Sequence, residues 1–175
     1  MQKKISTSLV ASFLLATTNL YSVENLETIT VTSATKSEQS IQNVTSNVEV
    51  ITKEEIEERH FTTVSEALNT LSGINVTSNG GLGKGTSVFM RGFDSQRILV
   101  LIDGINYNDF TGISGAAFEH LMITDIERIE VIKGAQSGIW GADANAGVIN
   151  IITSSAKEGT NSNILTEYGS YNTKK

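Results

Sequence analysis

The sequence has no cysteine and no proline, and only two histidines, His60 and His120. Without cysteine there is no disulfide framework and no thiolate chemistry. Two histidines leave little for a metal site. Without proline, turns must rest on the 15 glycines and on Asn, Asp and Ser. A basic face is also missing: 13 Lys and Arg against 19 Asp and Glu give a net charge of −6, the wrong sign for a nucleic-acid binder. No run reaches the roughly 20 apolar residues of a membrane-spanning helix. No Ser/His/Asp set or carboxylate pair appears at a meaningful spacing, so no catalytic residue is assigned and an exported enzyme is the weakest reading. His60 reads as a helix-end residue, His120 as part of a short helix, and Asp103 as a turn residue.

What is present suits a globular domain. The chain has 175 residues, 39% hydrophobic and 18% charged, enough for one domain with its own core. Lys3 and Lys4 precede an apolar run containing Leu9, Val10, Phe13, Leu14 and Leu15. Small residues follow, ending at Ser22. This is the pattern of a secretory signal, so residues 1–22 are expected to direct export.

Residues 23–40 form a polar leader without helical periodicity. Within it, Glu27, Thr28, Ile29, Thr30, Val31, Thr32, Ser33 and Ala34 alternate Thr with Ile or Val. A period of two favours an extended strand. No turn signal beside it supplies a hairpin partner. Two readings stand: an unpaired strand on a flexible leader, open to pairing with another chain, or an edge strand of the domain that follows.

From about Ile41 to Ser154 short strands mix with short helices, which predicts an α+β fold built on a small mixed sheet. Val48–Ile51 reads as a strand. Thr52 and Glu55 form a T-x-x-E capping box opening a helix to about Arg59. A second helix starts at Thr62 or Thr63, with Val64, Ala67, Leu68 and Leu71 at helical spacing and Gly73 just past its end. Ile74–Thr77 is a short strand. Ile98–Ile102 is a continuous apolar strand closed by Asp103-Gly104, a hairpin signal. Further strands are expected at Ile126–Ile132 and Gly147–Thr153, with a helical turn carrying Trp140 between them. The Gly-rich stretch 79–86 contains Lys84, but Gly85 stands where a phosphate loop needs Ser or Thr. It is read as a loop. Beyond a polar linker, 163–171 has the length of one transmembrane β-strand and weak alternation.

Three segments carry a resemblance. Arg91-Gly92-Phe93 followed by Ile98–Gly104 resembles the "RG…VLVLIDG" segment of TonB-dependent receptor plugs. Residues 125–134 resemble their "IERIEVIRGP" segment, and 140–153 their "YGSDAIGGVINIIT" segment. The three occur in the family's order. The resemblance implies a plug domain seated in a β-barrel of the roughly 22-stranded plugged class, in the outer membrane.

By the same resemblance, residues 27–34 occupy the place of the TonB box, the strand on which the energy-coupling protein TonB pairs. Arg91 and Lys133 lie at positions that pair with carboxylates on the barrel wall. Lys133 replaces the usual Arg and loses its bidentate fork. Ala135 replaces the usual proline, leaving that turn less constrained. The loop with Asn106, Tyr107, Asn108, Asp109 and Phe110 lies where plugs present an apex to the transported ligand, and 79–86 would be a second apex. The rings of Tyr107 and Phe110 could stack on a flat ligand, with Asn106 and Asn108 supplying hydrogen bonds. This loop is most similar to that of the family's cobalamin receptors. Cobalamin is the first expectation, and a ferric siderophore or haem the alternative. No resident cofactor is expected.

Lys175 follows one barrel strand at most, and a lone strand cannot stay in a bilayer. The chain is expected to be a fragment or truncated reading frame, periplasmic and without transport activity when expressed without its barrel. A free-standing periplasmic binding module is the competing class.

Overall fold

The computed structural model describes residues 29–33, 36–37, 39–41, 46–111 and 114–155. The expected signal (1–22), the leader residues Glu27, Thr28 and Ala34, and the expected barrel strand (163–171) lie outside the described residues.

A five-stranded sheet organises the body. Its strands are β3 (Val48–Thr52), β8 (Ile126–Lys133), β9 (Gly147–Thr153), β6 (Ile98–Ile102) and β7 (Ile105–Asn106), in that spatial order. All neighbours are antiparallel except β6 and β9, which run parallel. Two of the three central strands, β6 and β9, are near-continuous apolar runs, as strands covered on both faces are; β8 interleaves charged residues with its apolar ones. Alternation splits their side chains between two faces. Ile98, Val100, Ile129, Val131, Ile149 and Ile151 enter the main core with Phe118, Met90 and Leu68. Leu99, Leu101, Ile132 and Val148 point the other way, into a smaller cluster with Ala144 that Val48 and Trp140 flank.

Two helices cover the main core. α1 (Lys53–Arg59) starts at Thr52, whose hydroxyl accepts the Glu55 N–H at 3.4 Å. The reciprocal capping box is found at the next helix, α2 (Val64–Leu68), where Thr63 accepts from Glu66 N and Glu66 accepts from Thr63 N. α2 is shorter than its apolar spacing predicts. It stops at Leu68, and Asn69 serves as its C-cap. A hairpin, β4 (Ile74–Ser78) with β5 (Thr86–Met90), follows. Residues 79–85 link these two strands, with Leu82 exposed, and Thr86 of the expected loop is the first residue of β5.

Close approach rather than turn geometry fixes Gly147, the first residue of β9. A Cβ there would collide with the Ile132 carbonyl oxygen and the Met90 sulfur. The Asp103-Gly104 turn between β6 and β7 has both residues in the left-handed region, φ 50° and 80°, as a type I′ hairpin requires. The Asp103 carboxylate also accepts from Thr153 N and Oγ1, at 2.8 and 2.7 Å, tying the turn to the end of β9.

The leader departs from the expectation of a loose strand. β1 (Thr30–Val31) pairs antiparallel with β2 (Gln39–Ser40), and Ile41 N donates to Ile29 O at 3.0 Å. Lys36, between the two strands, has φ 61°. A non-glycine residue takes this conformation against its preference, which is why no hairpin signal was visible in the sequence.

Candidate functional site: leader cradle, paired cations and apex loop

Three groups of residues were expected to act, and the structure treats them differently. The leader lies against the second face of the sheet. There Glu130 of β8 stands opposite Asn150 of β9. Both are buried polar residues. A buried carboxylate costs several kcal/mol unless it is well bonded, and this one is. Glu130 Oε2 accepts from Thr32 N at 3.0 Å, Ser33 N at 2.9 Å and Ser33 Oγ at 2.7 Å. Glu130 Oε1 accepts from Arg128 Nε at 3.0 Å, and Arg128 also pairs with Glu127 at 2.8 Å.

Asn150 Nδ2 donates to Thr32 Oγ1 at 3.2 Å. Its Oδ1 is buried with no partner among the described residues. Trp140, from α3 (Ser137–Trp140), donates Nε1–H to Ser33 O at 2.7 Å. The Lys36 ammonium lies 4.7 Å from the centre of the Trp140 ring, a cation–π distance. Val31 and Ser33 are fully buried. Of the eight leader residues singled out, Thr32 and Ser33 are therefore bonded to the body and Val31 is buried, while Ile29 and Thr30 are exposed and bond to residues 39–41.

The roles of Glu130, Trp140 and Asn150 were missed in the sequence. Their one signal was polarity out of place: a Glu and an Asn at inward positions of strands that otherwise read as fully buried.

The two expected barrel-pairing cations differ. Arg91 is exposed at φ 51°, with its N–H bonded to Gly73 O at 2.7 Å. Its guanidinium lies over Gly134, where an added Cβ would sit 3.7 Å from Nη1. No carboxylate among the described residues pairs with it. The Lys133 side chain is 2% exposed, and its ammonium contacts Glu49 Oε2 at 2.6 Å and Ser72 O at 2.5 Å. Lys133 thus has a carboxylate partner within the same domain, on β3. Its charge is spent on fixing β3 and the 72–73 turn to β8 rather than offered outward.

The apex loop also divides. Phe110 is 94% exposed. Asn108 is withdrawn: its Oδ1 accepts from Val100 N and its Nδ2 donates to Ile98 O, both at 2.8 Å, so it serves the edge of β6 in place of a strand partner. Asn106 Oδ1 accepts the Asn108 N–H at 2.8 Å. Tyr107 packs on the main core. The Asp109 carboxylate accepts from Thr111 Oγ1 and from Thr111 N at 2.9 Å. These bonds, the hydroxyl first, hold its carboxyl below the ordinary aspartate range. Asparagine and aspartate at turn positions commonly make such local bonds.

Two surface concavities occur elsewhere. One, of about 240 Å³, lies among Asn69, Val76 and the 80–83 turn. The other, of about 560 Å³, lies beside Phe89 and Arg91. Neither includes residues 106–110. Among the described residues no helix is long and apolar enough to cross a membrane, and no His/Cys/Asp/Glu group could hold a metal ion.

Comparison with known proteins places this geometry. Curated relatives named vitamin B12 transporter BtuB cover most of the chain. The one from Vibrio vulnificus (strain CMCP6) is 39% identical over 172 residues, 97% of this chain and 28% of the relative. The one from Vibrio cholerae O1 El Tor Inaba N16961 is 38% identical over 165 residues, 91% of this chain and 26% of the relative. The chain thus spans little more than a quarter of the length of these relatives.

Among solved structures, the siderophore receptor PirA from Acinetobacter baumannii matches with a TM-score of 0.54 at 28% identity. The match covers 64% of this chain and 18% of that one. Pseudomonas aeruginosa FpvA bound to pyoverdine matches with a TM-score of 0.61 at 20% identity, over 72% of this chain and 16% of that one, a likeness of fold alone. The family model described as the TonB-dependent receptor plug domain matches residues 40–148, and the chain belongs to that family.

Proposed function

We propose that this chain is the plug end of an outer-membrane receptor that actively takes up cobalamin, and that residues 27–34 are where TonB engages it. The observation that carries the reading is the identity of 38–39% to vitamin B12 transporters across nearly the whole chain. The likeness extends through the leader and the apex loop as well as the sheet. The outer membrane has no nucleotide supply, so work on the plug must come through a physical contact with a partner anchored elsewhere. A strand offered through its backbone suits that contact, because main-chain pairing tolerates sequence variation.

In this reading Phe110 gives the apex an exposed aromatic face for a flat, partly apolar ligand, within a site that barrel loops complete. Arg91, outward and without a carboxylate partner among the described residues, is the cation offered to the barrel wall. Lys133 acts within the plug.

Two experiments test the reading. Cells expressing the complete receptor should take up radiolabelled cobalamin. Uptake of an iron chelate with none of cobalamin would move the assignment to the siderophore receptors that share the fold. Separately, a peptide spanning Glu27–Ala34 should bind the periplasmic domain of TonB in a calorimeter, and Ile29→Pro or Val31→Pro should abolish binding by removing a ladder donor. Equal affinity for all three peptides would overturn the strand-pairing role.

A further inference from the structure

The turn joining β4 to β5 opens on Asn79-Gly80, and every residue from 79 to 85 is exposed. This dipeptide carries a chemistry of its own. The backbone nitrogen that follows an asparagine can attack that asparagine's side-chain carbonyl carbon and close a succinimide ring. The reaction needs an amide side chain free to swing and a following N–H not committed to a hydrogen bond. It is fastest when the following residue has no Cβ to block the approach and can adopt unusual backbone angles.

Asn79 meets these conditions. Among the described residues its side chain makes no hydrogen bond, and the Gly80 N–H donates to no acceptor. The bonds nearby use other groups. Asn79 N donates to Gly85 O at 3.0 Å, and Ser78 Oγ donates to Gly80 O at 2.9 Å. They hold the main chain on either side and leave Asn79 Cγ and the Gly80 nitrogen free to meet. Lys84 adds a charge. A Cβ built on Gly80 would lie 3.1 Å from Lys84 Cγ, so the lysine stem runs over the Gly80 peptide unit. A cation beside that unit favours the anionic nitrogen that attacks and the oxyanion that forms.

Other loop positions lack this combination. The N–H groups that follow Asn69, Asn75, Asn106, Asn108 and Asn145 all donate hydrogen bonds, at 2.8–3.2 Å. Asp103-Gly104 could undergo the analogous ring closure, but its carboxylate is held by Thr153 N and Oγ1 at 2.8 and 2.7 Å.

We propose that Asn79-Gly80 is a self-modification site, where the Asn79 amide is converted through a succinimide to aspartate or isoaspartate and a carboxylate is set beside Lys84 at the tip of the β4–β5 hairpin. In the first step the Gly80 N–Cγ bond forms and the Cγ–Nδ2 bond breaks. The nitrogen leaves as ammonia, with the proton given up by Gly80. Water then opens the ring. Attack at Cγ leaves aspartate. Attack at the main-chain carbonyl leaves isoaspartate, whose peptide link runs through Cγ. Nothing is oxidised or reduced, and water is the one co-reactant. The turn gains a negative charge in either case, and in the isoaspartate form its main chain also gains a methylene. This chemistry is independent of what the plug transports.

The test incubates the 175-residue chain in mildly acidic and mildly alkaline buffer, beside a synthetic peptide spanning residues 76–82. Proteolytic peptide mapping by mass spectrometry locates each amide turned to carboxylate and separates the two products. Conversion should occur at Asn79, faster in the alkaline buffer, at a rate within about tenfold of the free peptide's, as for a site of negligible local stability. The asparagines with bonded following N–H groups should stay intact over the same time. Gly80→Ala should slow conversion by about tenfold, and Lys84→Gln by about twofold, the size of an exposed charge interaction.

An Asn79 that stays intact in the chain while the peptide converts would overturn the proposal, because the fold would then shield the pair. Conversion spread evenly over the asparagines, or an unchanged rate in Gly80→Ala, would also overturn it. An unchanged rate in Lys84→Gln would overturn the part given to the lysine.

Discussion

Ile129 and Glu130 are neighbours on β8, both fully buried, and they face opposite sides of one sheet. Ile129 meets the main core, sealed by α1, α2 and the turn around Phe118. Glu130 meets a few residues of leader through hydrogen bonds alone. The first face is held by area removed from water, which is non-directional and hard to exchange for anything else. The second has a smaller apolar cluster around Leu99, Leu101, Ile132 and Val148 and adds to it a handful of directional bonds to the leader.

Mutations at these two positions are the sharpest way to break that comparison. Ile129→Ala should lower stability by about 2–5 kcal/mol, measured by the urea midpoint, through lost transfer energy and the cavity left behind. It should leave the relative exposure of Thr32 and Ser33 to exchange unchanged. Glu130→Gln should cost less, about 1–3 kcal/mol, from weakened charged hydrogen bonds. Its effect should be concentrated in the leader. If the two variants lose stability equally and neither changes the leader selectively, the two faces are not distinct in the way described.

A smaller effect tests the packing that seals the first face. Thr63→Ala removes the hydroxyl that accepts Glu66 N and should cost about 1 kcal/mol, seen as a lower thermal midpoint. The smallest effect concerns the apex. The Asp109 carboxyl is held below its ordinary range by Thr111, so its turn bonds contribute above the unfolded pKa and are lost as pH falls through the folded value. The Thr111 amide resonance should shift over that acidic range. A shift near neutrality would contradict the assignment.

Much of the body was legible in the sequence because its signals are local and strong. The apolar run 98–102, the Asp103-Gly104 turn and the β-branched segments 126–132 and 147–153 each specify a buried strand, and all formed. The helix starts at Thr52 and Thr63 were readable from hydroxyl and glutamate spacing, although the reciprocal box formed only at the second.

What escaped was long-range. Lys133 reads as an outward cation until the fold brings Glu49 to within 2.6 Å, across a strand pair that links residues 84 positions apart. Asn108 reads as a ligand contact until its side chain is seen spanning Ile98 and Val100. The leader hairpin was hidden because Lys36 takes a conformation usually left to glycine. Its docking was hidden because Thr32 and Ser33 bind through backbone groups, which every residue shares, together with small hydroxyls.

Amide hydrogen exchange at Thr32 and Ser33 tests the two-faced account most directly, comparing the chain with its Glu130→Gln variant. Both amides should be protected in the wild type and lose that protection in the variant while the β6 amides keep theirs. Protection that is absent in the wild type, or that survives the substitution unchanged, would contradict it.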